Sequence, residues 1–205
     1  MFPPEFETEH LRFEQLCRKN ISPREYYEVC SADRSTIDEE TRYLPWDPMQ
    51  TTGEAANRLK SFETRWEELE RAEWIILPKT EASQAESIAG TTGIICRWEQ
   101  DLAVTAIWLR KSYWGNGYSG ERADALLEII FDRLDMEMTA ILLHAENRKS
   151  FRAVGKYVER HGGRYEGVLR NHGGRYDEPI DHHRFTISQA EYHRAVGTET
   201  TVSID

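Results

Sequence analysis

A chain of 205 residues holds enough material for one sizeable core, and no low-complexity stretch or Pro/Gly-rich linker divides it, so residues 1–205 are expected to fold as a single domain. Hydrophobic residues make up 39%, with six tryptophans, which excludes a disordered chain, while the longest apolar runs, Trp74 to Leu77 and Ala140 to Leu143, fall far short of a membrane span. A net charge of −10 opposes non-specific attraction to nucleic acid or anionic lipid, and three scattered cysteines, Cys17, Cys30 and Cys96, with no opening of the signal-peptide kind, fit a reducing cytoplasm and no disulfide framework.

The first half is expected to hold a leading strand followed by helices. Ser22-Pro23-Arg24-Glu25 is a capping box with proline at the first helical position, so a short helix bearing Tyr26, Tyr27 and Val29 starts there. Thr51-Thr52-Gly53-Glu54 offers the same reciprocal cap to a longer helix, which puts Ala55, Leu59, Phe62, Trp66 and Leu69 on one face. Between them, Arg42-Tyr43-Leu44-Pro45-Trp46 is an aromatic link suited equally to a ligand-groove wall and to core filling.

From Glu73 the periodicity changes. Trp74 to Leu77, Ile88 to Ile95 and Leu102 to Leu109 read as three strands of a meander. The last runs into Tyr113-Trp114-Gly115-Asn116-Gly117-Tyr118-Ser119-Gly120-Glu121, a glycine-rich turn opening a helix over about 118–134 that buries Ala123, Leu126, Leu127, Ile130, Phe131 and Leu134. Glycine permits positive φ, and the first N–H groups of a helix are unpaired with the helix dipole behind them, so the turn is a candidate cradle for phosphate or pyrophosphate. Thr139 to Leu143 is a short buried strand, and a second helix over about 148–160 buries Phe151, Val154, Tyr157 and Val158. A strand-helix-strand-helix unit joined to an antiparallel meander is an α/β domain of two or three layers.

The tail carries a small repeat, His161-Gly162-Gly163-Arg164-Tyr165 and His172-Gly173-Gly174-Arg175-Tyr176, read as turns feeding the two strands of a late hairpin over roughly 164–170 and 180–187. Ser188-Gln189-Ala190-Glu191 then caps a short terminal helix.

The glycine turn holds G-x-G-x-x-G only as Gly115, Gly117 and Gly120, in mid-chain after a meander. A dinucleotide fold places that pattern in its first βαβ unit with an acidic residue ending the next strand, whereas Asp135 precedes the strand, and no following lysine makes a P-loop. Asn147-Arg148-Lys149-Ser150 forms a second helix start, with Asn147 as cap and Ser150 in the first turn, at the strand end where open α/β sheets bind ligands. Capping alone also accounts for Asn147. Two ligand-compatible helix starts thus flank one strand.

These residues carry a resemblance. Trp108-Leu109, the turn from Tyr113 to Tyr118 with Glu121, Asn147-Arg148-Lys149-Ser150, Glu166-Gly167 and Asp181-His182 occur in the order and approximate spacing of the GCN5-related N-acetyltransferase (GNAT) superfamily. With Tyr43-Leu44-Pro45-Trp46, Trp74 and Gly90-Thr91-Thr92-Gly93-Ile94 upstream, the chain resembles the ribosomal-protein-alanine N-acetyltransferase type over most of its length. The resemblance implies an α/β (α+β) acyl-CoA N-acyltransferase fold with a central, mostly antiparallel mixed sheet flanked by helices. It implies acetyl-CoA as donor and a primary amine as acceptor, on a small molecule or a protein N-terminus such as that of a ribosomal protein.

On this sequence the resemblance puts Leu109, Trp114, Asn116, Gly117, Tyr118, Ser119, Gly120, Asn147 and Ser150 at the cofactor, with the backbone amides of 116–120 on the pyrophosphate. Trp114 stands where the superfamily has Arg or Gln, and Ser119 where it has Gly or Ala. Asn147 is implied beside the pantetheine arm, and Ser150 near the thioester sulfur. Amine acetylation needs alignment, a route for the amine proton and donors near the developing oxyanion. Ser150 is the candidate donor to the leaving thiolate, with Tyr157, two turns on, as competitor. The glutamate this type often carries before the glycine turn is missing from Ala103-Val104-Thr105-Ala106, which leaves Glu166, Glu99, His144, His172 or a water relay as base. Asp177, Asp181, His182 and His183 do not make a metal site, because adjacent strand residues point to opposite faces.

The sequence therefore reads as an acetyl-CoA-dependent N-acetyltransferase, monomeric or homodimeric, with no nucleic-acid or membrane partner. The missing carboxylate keeps open a non-catalytic acyl-CoA-binding or protein-interaction domain of the same fold.

Overall fold

The computed structural model describes residues 1–79, 88–175 and 178–197. Tyr176 and Asp177, singled out in the repeat and the acidic-histidine group, lie outside the described residues. One eight-stranded mixed sheet organises the rest: β1 (Glu5–Glu7), β2 (Leu11–Gln15), β3 (Arg71–Pro78), β4 (Gly90–Arg97), β5 (Leu102–Leu109), β6 (Met138–His144), β7 (Arg164–Arg175) and β8 (Glu178–Ser188), in the order β1-β2-β3-β4-β5-β6-β8-β7. Every neighbouring pair is antiparallel except β5 and β6.

Helices α1 (Pro23–Cys30), α2 (Ile37–Thr41) and α3 (Thr52–Glu67) lie between β2 and β3, α4 (Tyr118–Glu128) and α5 (Arg148–Arg160) follow β5 and β6, and α6 (Gln189–Val196) ends the described chain. Strand alternation divides the apolar side chains between two cores. Ala103, Ile107 and Leu109 of β5 join Ala123, Leu126 and Phe131 on the α4 and α5 side, whereas Trp108 joins Tyr26, Ala55 and Leu59 of α1 and α3. This is the α/β architecture, a mostly antiparallel mixed sheet flanked by helices, that the sequence implied. No described helix is long and apolar enough to cross a membrane.

Local signals held where a side chain fixed a boundary. Ser22 and Ser188 form complete capping boxes, and Asn147 caps α5. Thr51 accepts from the Glu54 N–H, but the Glu54 carboxylate accepts from Gln50 N–H at 2.9 Å, so the second bond lies one residue outside the expected box. The leading strand is a hairpin, β1 against β2. The helix expected to reach Leu134 leaves α geometry after Glu128 for a π turn over Ile129–Arg133, and the late hairpin strands run longer than read.

The parallel ladder joins only 102–105 to 138–141. Beyond Thr105 and Ile141 both strands continue, to Leu109 and His144, without pairing to each other. The sheet is therefore split at the carboxyl ends of its two parallel strands, from which α4 and α5 both begin.

Candidate active site

The chain leaves β5 through a short turn at Lys111–Tyr113 and reaches Gly115 at φ +87° and Gly117 at φ +83°, a conformation that L side chains rarely adopt. A Cβ built on either glycine would meet nothing within 4 Å, so the space before α4 is open. Gly120 and Glu121 donate their N–H groups to Gly117 O, whereas those of Gly115, Asn116, Gly117, Tyr118 and Ser119 have no partner among the described residues. Five unpaired donors at a helix N-terminus fit an anion. The Glu121 carboxylate is engaged elsewhere, accepting from Thr8 Oγ1 at 2.5 Å and His10 N–H at 2.7 Å, which ties α4 to the β1–β2 turn.

The second helix start faces the same opening. Asn147 Oδ1 accepts the Ser150 N–H at 3.1 Å, so the asparagine caps while the Ser150 hydroxyl keeps no partner among the described residues. Trp114 links the two starts: its indole N–H donates to Leu109 O at 2.9 Å, and the Lys149 ammonium lies 4.8 Å from its ring centroid. Lys149 and Lys111 also approach Glu39, at 3.7 and 2.5 Å, and Lys111 N–H donates to Glu40 at 2.8 Å, so α2 closes the side of the opening. Bonding to Lys111 holds the Glu39 carboxyl below its ordinary pKa. Burial raises that of Glu40, but Arg34, the Lys111 N–H and Thr36 outweigh it and leave it lowered.

A family model described as an acetyltransferase (GNAT) domain matches residues 22–157, from α1 almost to the end of α5. The chain belongs to the GNAT acetyltransferase family. Among solved structures, a Vibrio cholerae protein described as a ribosomal-protein-serine acetyltransferase is 19% identical, covers 91% of this chain and 99% of that chain, and has a TM-score of 0.69. The microcin C7 self-immunity acetyltransferase MccE, solved with acetyl-CoA and AMP, is 16% identical over 88% of this chain and 93% of that chain, with a TM-score of 0.74. Spermidine N-acetyltransferase from Vibrio cholerae, solved with CoA and spermine, is 15% identical over 89% and 97%, with a TM-score of 0.69. At these identities the likeness is one of fold. No curated protein matches the chain.

In this GNAT domain the remaining sequence-named residues separate. Tyr157 is 3% exposed, and its hydroxyl lies against the guanidinium of buried Arg122 without a well-formed hydrogen bond. Burial raises the phenol pKa despite that positive neighbour, and lowers that of Arg122. Seven residues at 1.5 Å rise place Tyr157 about 10 Å along α5 from Ser150. Glu99 lies in the turn before β5, a strand length of roughly 25 Å from the glycine turn. Glu166 accepts from Thr186 Oγ1 at 2.7 Å. Thr186 is four strand residues from His182, the partner of His144, so Glu166 stands roughly 13 Å from the strand ends.

His144 and His172 do come to that end, on either side of His182, with ring centroids at 6.4 and 5.9 Å. His144 Nδ1 accepts the Glu146 N–H at 3.1 Å, so a neutral His144 presents an N–H at Nε2. Tyr43 packs against His144 at 4.9 Å, while Trp46 meets Trp108 at 5.5 Å; of the aromatic link, Tyr43 borders the opening and Trp46 fills core. Arg184 carried no acetyltransferase signal in the sequence, because only the β6–β8 register brings it, two residues beyond the motif residue His182, beside the split. Among the described residues no group of three or more His, Cys, Asp or Glu could hold a metal ion.

Proposed function

We propose that this GNAT domain transfers an acetyl group from acetyl-CoA to a primary amine on a small molecule or a protein N-terminus. The observation that carries the reading is the row of unpaired N–H groups from Gly115 to Ser119, open to solvent space and backed by α4, at the mouth of a split sheet. Asn116, Gly117, Tyr118 and Ser119 would hold the pyrophosphate through their backbones; Gly120 contributes shape, since its own N–H is already bonded to Gly117 O. Leu109 and Trp114 fix the turn, and Asn147 and Ser150 border the path from it into the split.

Bound acetyl-CoA supplies an acetyl group activated as a thioester, so that the amine nitrogen gains a bond to the acetyl carbon as the carbon–sulfur bond breaks and a proton passes from amine to sulfur. Ser150 is the proposed donor at the sulfur, its hydroxyl being unengaged where that of Tyr157 is sealed in the core. The base is assigned to Glu166, which stands beside the point where β5 and β6 part, to His172 or to a water relay, since Glu99 lies a strand length away and His144 Nδ1 already accepts the Glu146 N–H. One domain, 1–205, supplies both sides of the site. MccE and the spermidine enzyme, with their bound coenzymes, support the donor, and the ribosomal-protein-serine acetyltransferase supports a protein N-terminus among acceptors.

Titration calorimetry with acetyl-CoA tests the donor: saturable one-to-one binding is expected, and its absence in demonstrably folded protein would remove the reading. Thiol release dependent on added amine separates catalysis from a domain that only binds the acyl carrier.

A further inference from the structure

The sheet face turned away from α4 and α5 carries Arg184 beside the split. Phe151 of α5 packs on His183 and Phe185, with ring centroids at 4.6 and 5.1 Å, so strand alternation turns His182, Arg184 and Thr186 to the other face. Arg184 pairs in register with Leu142, the first β6 residue beyond the parallel ladder, and so stands level with the point where β5 and β6 part. On its other side is Gly167, which brings no side chain, and a Cβ there would meet nothing within 4 Å.

Arg184 Nε is buried and has no hydrogen-bond partner, and no carboxylate lies within ion-pair distance of the guanidinium among the described residues. A buried, unpaired N–H is costly, and the planar guanidinium fork matches a carboxylate through two parallel bonds. The nearby acids are already engaged. Glu40 is held by Arg34 and the Lys111 N–H, and Glu39 by Lys111 and Lys149. Glu166 is bonded by the Thr186 hydroxyl and Asp181 by Asn171 N–H, while Glu146 stays exposed on the β6–α5 connection.

We propose that the acceptor amine carries a carboxylate close to its nitrogen, and that Arg184 binds that carboxylate while the amine enters the split between β5 and β6. The assignment rests on the acetyl-transfer reading and narrows its substrate class. Two sources share the chemistry, a free amino acid and a peptide whose N-terminal residue is acidic.

Thiol release with acetyl-CoA is measured for amino acids against their carboxamides, for peptides beginning with Asp or Glu against Asn or Gln, and for spermidine. A carboxylate preference in kcat/KM of about tenfold to a hundredfold is expected in at least one of the two arms, the arm identifying the source. Arg184→Gln should abolish the preference mainly through KM, and Arg184→Lys should restore part of it. Calorimetry supplies a readout without turnover: the N-acetylated carboxylate product should bind the wild-type protein and lose affinity in Arg184→Gln, with acetyl-CoA affinity unchanged. Turnover confined to carboxamides or spermidine, or a preference that survives Arg184→Gln, would overturn the assignment and leave acetyl transfer standing; failure to bind acetyl-CoA would strike the donor reading instead.

Discussion

Ser150 and Asn147 show how one short helix start divides its tasks between backbone and side chain. The cap uses the Ser150 N–H, not its hydroxyl, so Ser150→Ala keeps the bond that starts α5 and removes only a hydroxyl that has no partner among the described residues. Turnover should fall by roughly tenfold to a hundredfold, the range of a lost proton donor, while acetyl-CoA affinity by calorimetry changes by less than about threefold. An unchanged kcat across the pH range would assign the leaving-group proton elsewhere. His182 permits a second test at this scale. Burial lowers its pKa, the charges of His172 and His144 lower it further, and the Ile180 backbone and Asp181 oppose them without prevailing. The unfolded chain then takes up a proton before the folded one does, so the stability contributed by neutral His182 is complete above the unfolded value of about 6.5 and declines as pH falls toward the folded value. Melting temperature should drop from pH 7.5 to pH 5.5, and His182→Gln should show a smaller drop; an equal slope in the two proteins would contradict it.

At the scale of elements, what the sequence disclosed and what it hid follow from where each signal resides. The bounds of β5 and α5 were legible because an apolar run interrupted only by Thr105 and a capping asparagine mark them locally, and the glycine turn because positive φ leaves glycine as the residue of choice. α2 escaped notice because five residues carry no periodicity. The π turn after Glu128 escaped because a shift from four- to five-residue bonding leaves the buried faces of Ile130 and Phe131 apolar either way. Tyr157 illustrates the converse. Helical spacing put it on the same side as Ser150, and it is, but that side turns from the opening into the α4–α5 interface within two turns. There Tyr157 meets Arg122, Asp124 pairs with Arg160, and the His161 ring lies 3.3 Å from Asp124. These contacts fix one helix against the other, and thereby the two helix starts that face the split.

Across the whole molecule, the split is the feature that sequence could not contain, since it depends on how far a parallel ladder between distant segments extends. Four residue pairs join β5 to β6, and the sheet is held together beyond them by α4 and α5 rather than by hydrogen bonds across the gap. β4 and β8 pair with the outer sides of the two diverging strands, so amides of 106–109 and 142–144 directed into the gap depend on a ligand or water for partners. An acyl carrier laid between the strands would satisfy them as a missing strand would. Hydrogen exchange followed by mass spectrometry should therefore show slowing on acetyl-CoA addition in three separated segments at once, 106–109, 142–144 and 115–119, with little change along β1 to β3 on the far side of the sheet. Protection limited to 115–119 would mean that only the pyrophosphate is held and the pantetheine arm runs outside the gap. Protection in the strands without the glycine turn would separate the anion cradle from the ligand. The joint pattern is what a single bound molecule spanning turn and split requires.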